Sequence, residues 1–431
     1  MMLSLPKYDC YKDSGVDWLG EIPAHWQVKR LGFEANTIVP MRDKPVDLSG
    51  DIPWIRIEDF DGKYISSSKS GQGVSINTVK KMNLKIYPKN TVLCSCSCSM
   101  GTTAIAKNPL ISNQTFIGIY PFKSFISDYL YYLLNASRNY LTQLSTGAIQ
   151  QYLSKDDFRN LRLPTPPIEE QERIVKFLDR KCEEVKKSIE LKQRLIALLD
   201  EQKSIVINQA VTKGLNPHAP MKDSGIDWLG DIPAHWEVKK LKYMGTAIIG
   251  LTYAPKDLTD ENNGTLVLRS SNIQNGKICF KSNVFVKSKI PKHLITKRHD
   301  ILICSRNGSR ELIGKNALIE EKSIGLSFGA FTTVFRSDFN PFLYYIFNSN
   351  IFKSQSGLFL TSTINQLTTG TLNNFKIPIP PIEEQEKIVE YLEQKTAEIE
   401  ELKEKTLQQI EKLKEFKQIL IAEAVTGKIK V

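Results

Sequence analysis

The chain has 431 residues, with 58 Lys and Arg against 47 Asp and Glu and a formal net charge of +11. Such a length holds two to four domains with cores of their own, and the positive surplus favours a polyanionic partner. No stretch approaches 18 consecutive apolar residues and no basic segment feeds an apolar one at the N-terminus. A membrane span or secretory signal is therefore not expected, and the expected location is the cytoplasm.

The first marked segment is Asp13 to Leu31, DSGVDWLGEIPAHWQVKRL, which returns as DSGIDWLGDIPAHWEVKKL from Asp223 to Leu241, with 15 of 19 positions identical. Between the copies, Ile52 to Ile57 (IPWIRI) and Thr91 to Cys98 carry strand composition, broken by Gly, Asn and Pro. In VLCSCSCSM, Cys94, Cys96 and Cys98 alternate, which places them on one strand face as small hydrophobes and not as metal ligands. Phe125 to Tyr140 (FISDYLYYLLNASRNY) is expected to be one helix.

Next comes PPIEEQERIVKFL, Pro166 to Leu178, which recurs as PPIEEQEKIVEYL from Pro380 to Leu392. Proline is tolerated in a first helical turn because its missing amide hydrogen has no acceptor there, and the paired glutamates suit the positive end of the helix dipole. Both tracts run on to QAVTKG and EAVTGK, whose glycines, Gly214 and Gly427, suit helix termination. Each helix is then about 40 to 45 residues long, some 60 to 68 Å at the helical rise, and a lone helix of that length needs a partner. Leu178, Val185, Ile189, Ile196, Leu199 and Val206 make a heptad-like stripe on the first, and Leu392, Ile399, Ile410, Leu413 and Leu420 on the second. The pattern leaves antiparallel, parallel and intermolecular pairing open.

The second module repeats the order of the first. Thr265 to Arg269 and Asp300 to Cys304 are predicted strands, and PFLYYIFNSNIFKS from Pro341 a helix, with Tyr344-Tyr345 standing opposite Tyr131-Tyr132 in the alignment. The flanks and long helices agree closely, whereas 32 to 145 and 242 to 360 share little beyond general character. The expected division is 1–163 and 215–377 for the modules, 164–214 and 378–431 for the helices. A constant scaffold with divergent inserts is what two different readers on one frame require.

These duplicated elements, DWLGxIPxHW and PPIEEQE above all, resemble the specificity subunits of type I restriction-modification enzymes, over essentially the whole chain. The resemblance implies an α/β fold with two tandem, pseudo-symmetric target recognition domains separated by two long helices in an antiparallel intramolecular coiled coil. It implies a non-catalytic subunit that reads a bipartite double-stranded DNA target, one half per module, with the helices as a ruler for the spacer. It also implies two adenine-N6 methyltransferase subunits as partners, and restriction and motor subunits where present. S-adenosylmethionine, ATP and Mg would belong to those partners, and none of them to this chain.

The candidate DNA-binding residues of the second module are Arg306, Asn307 and Arg310 in the loop SRNGSR, with Lys315 beyond it, because Arg and Asn pair with purine edges. Its counterpart in the first module, SCSMGTT, offers the hydroxyls of Ser97, Ser99, Thr102 and Thr103. Lys81, Lys85, Lys292, Lys297 and Arg298 lie on basic runs suited to phosphates, and Arg56 and Arg269 follow apolar strand residues toward the groove or a nearby carboxylate. Trp18, Trp26, Trp228, Trp236, His25 and His235 stay constant between modules that otherwise diverge, which assigns them to the framework. The sequence holds neither GxxxxGK[ST] nor HExxH, and NPF at Asn340 to Phe342 lacks the second proline of a methyltransferase loop. An enzyme with an unseen catalytic pattern and a helical scaffold that never touches DNA are the competing readings.

Overall fold

The computed structural model describes residues 6–40, 43–97, 99–145, 151–359 and 365–431. Two compact units form, one from Met1–Lys192 with Leu407–Val431 and the other from Gln193–Thr406. Each holds one module and half of each long helix, and the two modules share one α/β architecture.

In the first unit, the strand Val92–Ser95 is buried at all four positions because it lies inside a five-stranded sheet, between Phe116–Pro121 and Thr103–Ala106. Both faces are covered, so Leu93 and the polar Ser95 are buried as fully as Val92 and Cys94, and the strand ends at Ser95, before Cys96. Cys94 and Cys96 are fully buried, and burial pushes the Cys96 thiol up to about 11, which makes it a packing group and not a nucleophile. Cys98 lies outside the described residues. A second sheet orders Ile111–Ser112, Ile52–Ile55 and Gly73–Val74, the first two parallel.

The helix expected over Phe125 to Tyr140 is two helices, Ser127–Ala136 and Arg138–Leu144. The break is at Ser137, whose hydroxyl donates to the Leu133 carbonyl (2.7 Å) while its ψ of 3° leaves the helical range. The second unit breaks at the corresponding place, between Asn340–Phe347 and Asn350–Phe359, where the Ser349 hydroxyl donates to the Ile346 carbonyl at 2.7 Å. Its sheets run Thr246–Ile249, Thr332–Arg336, Ile301–Cys304, Asn316–Leu318 and, separately, Leu258–Thr259, Phe285–Val286, Thr265–Leu268, Ser327–Phe328. Arg336 stitches this unit through a two-pronged pair to Asp300, Nε to Oδ1 at 2.8 Å and Nη2 to Oδ2 at 2.6 Å.

The long helices span Ile168–Lys213 and Ile382–Val425, 46 and 44 residues. They pack antiparallel. In the first unit Ile174 and Leu178 share a core with Leu420, Ala424 and Val425, and Lys192 donates to Gln409 (2.6 Å). In the second, Ile207, Ala210 and Val211 share a core with Ile388 and Leu392, and Lys203 pairs with Glu400 at 2.8 Å. Leu178, Val185, Leu199, Leu392, Ile399, Ile410 and Leu420 are buried, whereas Ile189, Ile196, Val206 and Leu413 are half-buried. An α-helix drifts about 20° per heptad against a strict seven-residue stripe. That drift turns Val206 aside and brings in Ile207 and Val211, both buried.

The duplicated sequence closes each unit onto a helix end. Gln27–Arg30 pairs antiparallel with Arg162–Thr165, and Glu237–Lys240 with Lys376–Ile379, so each framework segment meets the strand that feeds a long helix. Trp26 and Trp236 are fully buried, Trp18 stacks on Tyr140 with centroids 5.2 Å apart, and Trp228 is partly exposed. At each helix start a glutamine side chain donates to the first proline carbonyl at 2.9 Å, Gln171 to Pro166 and Gln385 to Pro380.

Candidate nucleic-acid interface

In the second module the ends of two strands meet the start of a third, Thr332–Arg336, which Phe331 precedes. Thr265–Leu268 delivers Arg269, whose backbone amide is held by Asn272 Oδ1 (2.9 Å). Its Nη2 donates to the Ser282 carbonyl (3.1 Å), while Nε is buried with no hydrogen-bond partner among the described residues. Ile301–Cys304 delivers Ser305 and Arg306, whose amides both donate to the Phe331 carbonyl (3.1 and 3.0 Å). The Arg306 guanidinium lies 5.3 Å from the Phe331 ring centroid, and that ring is 60% exposed. A cation over an aromatic face is held electrostatically and keeps its outer N–H donors for other acceptors.

A cavity of about 490 Å³ opens between Ser270, Arg306, Asn307, Phe331, Asn365 and Gln366. A second, of about 450 Å³, holds Arg269 and Tyr253 and shares Ser270 and Phe331 with the first. Guanidinium, amide and hydroxyl groups around an exposed ring can hydrogen-bond base edges and stack on them. Asn307 is braced for this by its own turn, accepting from the Ser309 amide (3.0 Å) and donating to Ser270 Oγ (3.4 Å).

The other candidates are placed as follows. Arg310 is exposed in a short 3-10 turn, whereas Lys315 donates to the Ile273 carbonyl (3.0 Å). Lys292 and Lys297 are exposed, and Arg298 pairs with the exposed Glu321 at 3.4 Å. In the first module Arg56 pairs with Glu58 at 2.8 Å, and its Nε too is buried without a partner among the described residues. Lys81 ends a six-residue helix in the open, and Lys85, also exposed, reaches Asn83 at 3.5 Å. Ser97 is half-buried and Ser99 is exposed with φ +57°. Thr102 accepts from Arg138, and Thr103 is buried and accepts from Asn135. These two threonines are engaged within the module by those side-chain bonds.

Sequence reasoning missed Phe331 and Gln366. Nothing in GAFTTVF marks its first Phe as the exposed one, and Gln366, far from the SRNGSR loop in sequence, joins the cavity through a bridge to Arg306. Asn340, in the NPF tripeptide, spends its amide on the His299 and Phe335 carbonyls (both 2.8 Å), which ties it to structure.

The framework histidines have partners on the long helices. His25 Nε2 is 2.8 Å from Glu170 Oε2 and His235 Nε2 is 2.7 Å from Glu384 Oε2. Glu170 also accepts from Tyr8, and Glu384 from the Trp236 indole at 3.0 Å. Burial raises the Glu170 carboxyl, and the bonds from Tyr8 and His25 outweigh it to leave the group below the ordinary carboxylate range.

Comparison with known proteins decides the family. The type I restriction modification DNA specificity domain matches residues 23–200 and 233–412. The chain belongs to that family. A type I restriction enzyme MjaVIII specificity subunit from Methanocaldococcus jannaschii is 28% identical over 430 residues, covering 95% of this chain and 94% of that one. The EcoKI specificity subunit of Escherichia coli K12 is 30% identical over 211 residues, 46% of this chain and 44% of that protein. Among solved structures, a chain from a study of complex assembly and conformational transition of the type I R-M system shares the fold. It has a TM-score of 0.70 at 19% identity, over 94% of this chain and 98% of that one. The HsdS subunit of Thermoanaerobacter tengcongensis does so with a TM-score of 0.53 at 18% identity, over the same shares.

As a type I specificity subunit, the chain is the non-catalytic component of a restriction-modification system. Among the described residues no group of three or more His, Cys, Asp and Glu is placed to hold a metal ion, and no helix is long and apolar enough to cross a membrane.

Proposed function

We propose that this specificity subunit reads two separated segments of one DNA duplex, one with each module, and presents that duplex to two copies of an adenine-N6 methyltransferase. Restriction and motor subunits join where the host supplies them. The observation that carries the reading is one hydrogen-bonded framework built twice, His25 to Glu170 and His235 to Glu384, around modules whose loops differ. The Arg306 cavity supplies donors for base edges, and the net charge of +11 supplies affinity for phosphates. A 46-residue helix is roughly 69 Å long at 1.5 Å per residue and suits a ruler.

Two copies of a methyltransferase need two similar docking surfaces, and the duplicated framework provides them. Leu195, Leu198 and Ile205 on the first long helix and Leu402 on the second are exposed in the second unit, apolar surface that a bound subunit would cover.

The test is binding of the chain with its methyltransferase to duplexes carrying a long randomised insert, followed by sequencing of the retained pool at rising salt. A split motif with a fixed spacer is expected. Retention of random sequence alone, or no retention, overturns the reading.

A further inference from the structure

The two modules diverge in sequence, but their cores give a register by which single positions can be matched. In the first, the Cys96 amide donates to the Thr115 carbonyl (2.9 Å) and the Leu153 amide to the Cys96 carbonyl (2.9 Å). In the second, the Ser305 amide donates to the Phe331 carbonyl (3.1 Å) and the Leu367 amide to the Ser305 carbonyl (2.8 Å). The same three chain segments meet through the same pair of bonds, anchored by the buried Leu153 and Leu367. Beside each junction stands one arginine with one backbone conformation, Arg56 at φ −126°, ψ 172° and Arg269 at φ −127°, ψ 175°.

This register matches Ser97 with Arg306, Thr115 with Phe331, and Tyr152 with Gln366. The hydrogen bonds that hold these positions are constant while the side chains they carry change completely. Resting on the function proposed above, we propose that these three matched positions are the base-reading set of each module, and that the arginine common to both, Arg56 or Arg269, anchors the duplex without selecting its sequence.

The chemistry differs between modules in a way that predicts their targets. Arg306 presents a planar fork that pairs bidentately with guanine O6 and N7, Gln366 an amide that fits adenine N6 and N7, and Phe331 an apolar face for a thymine methyl or a base. Ser97, Thr115 and Tyr152 carry only hydroxyls, that of Thr115 donating to Asn113 Oδ1 (2.6 Å), and a hydroxyl discriminates between bases less than a planar fork or an amide does. The half-site of the second module therefore contains a guanine on which Arg306 acts. In that module neither Arg306 nor Arg269 has an ion pair among the described residues, whereas Glu58 offsets the charge of Arg56.

The experiment gives the second module the identities of the first, Arg306→Ser, Phe331→Thr and Gln366→Tyr together, in the full chain with its methyltransferase. Retained duplexes are sequenced from the same randomised pool. The half-site of the second module should change at a few base pairs, losing the guanine, while the other half-site and the spacer stay as they were. The single changes Arg306→Gln and Gln366→Ala, each measured with its thermal transition, keep the test open if the triple variant does not fold. Each should lower discrimination at one base pair roughly 5- to 150-fold, and Arg269→Gln should weaken specific and random duplexes alike. An unchanged motif, or one altered in both halves, overturns the assignment. Absence of any split motif with the unsubstituted chain overturns the functional reading itself, and this inference with it.

Discussion

His25 and Glu170 are joined Nε2 to Oε2 at 2.8 Å, across 145 positions of sequence, and His235 repeats the contact with Glu384 across 149. One partner sits in the IPAHW element and the other in the first turn of a long helix, so this pair fixes the module to its helix. Removing either carboxylate leaves an imidazole and its neighbours without their acceptor. Glu384→Ala, which also leaves the Trp236 indole without its acceptor, should cost about 1 to 3 kcal/mol. Its thermal midpoint checks this, and an unchanged midpoint contradicts the latch.

The first latch carries a pH signature. The Glu170 carboxyl is held below its ordinary 4.5 because the bonds from Tyr8 and His25 outweigh the upward push of burial. A depressed folded value means that the group contributes stability above the unfolded value and loses it as pH falls through the folded one. The midpoint difference between the unsubstituted chain and Glu170→Gln should be full near neutrality and shrink below about pH 4.5. A difference that grew on acidification would have the wrong sign.

Asp300 is buried beneath Arg336 and accepts from it through both oxygens as well as from the Lys297 amide (2.8 Å). Asp300→Ala strands a partly buried guanidinium, which costs about 3 kcal/mol. Urea unfolding followed by a probe in the second module should show the loss, while Glu321→Ala, which breaks only the exposed pair to Arg298, should cost under about 1 kcal/mol.

The two helix-terminating glycines differ in how tightly they are enclosed. Both have positive φ, +71° at Gly214 and +73° at Gly427. A Cβ at Gly427 would stand 2.3 Å from Pro23 Cδ, whereas at Gly214 the nearest atom, Glu384 Oε1, is 3.0 Å away and belongs to a side chain. Gly214→Ala should cost roughly 1 to 2 kcal/mol from backbone strain alone, and Gly427→Ala more. Equal thermal midpoints for the two variants would contradict this ranking.

Exposed lysines should act on salt dependence and not on site choice. Lys292→Ala and Lys297→Ala should each reduce the slope of log affinity against log salt by about 1, with the selected motif unchanged. Titrations at several salt concentrations measure the slope directly.

The architecture was legible in the sequence because it rests on repetition and on punctuated helices: Pro-Pro at the start, Gly at the end, one apolar stripe between. Antiparallel pairing was open to the stripe alone, since a stripe does not carry direction. It became visible in which ends share a core, Leu178 with Leu420 and Leu392 with Ile207. The loop of Arg306 was found because it follows a recognisable strand. Phe331 and Gln366 were not, because they come to the cavity from separate segments and apolar patterning assigns a phenylalanine to the interior. The break at Ser137 was missed for a related reason, as a serine hydroxyl bonding back to its own helix leaves no periodic trace.

The first unit is assembled from two stretches far apart in sequence, Met1–Lys192 and Leu407–Val431, while the second is drawn from one uninterrupted stretch between them. A ribosome therefore finishes the material for the second unit before that for the first. Until Leu407–Val431 emerges, Leu178 and Ile174 lack the Leu420 and Val425 surface that covers them, and the head begun first is completed after the other. Released chains that stop at Thr406 should thus bear a protease-resistant second half beside an open first half, reversing the amino-to-carboxyl order in which multidomain proteins ordinarily mature.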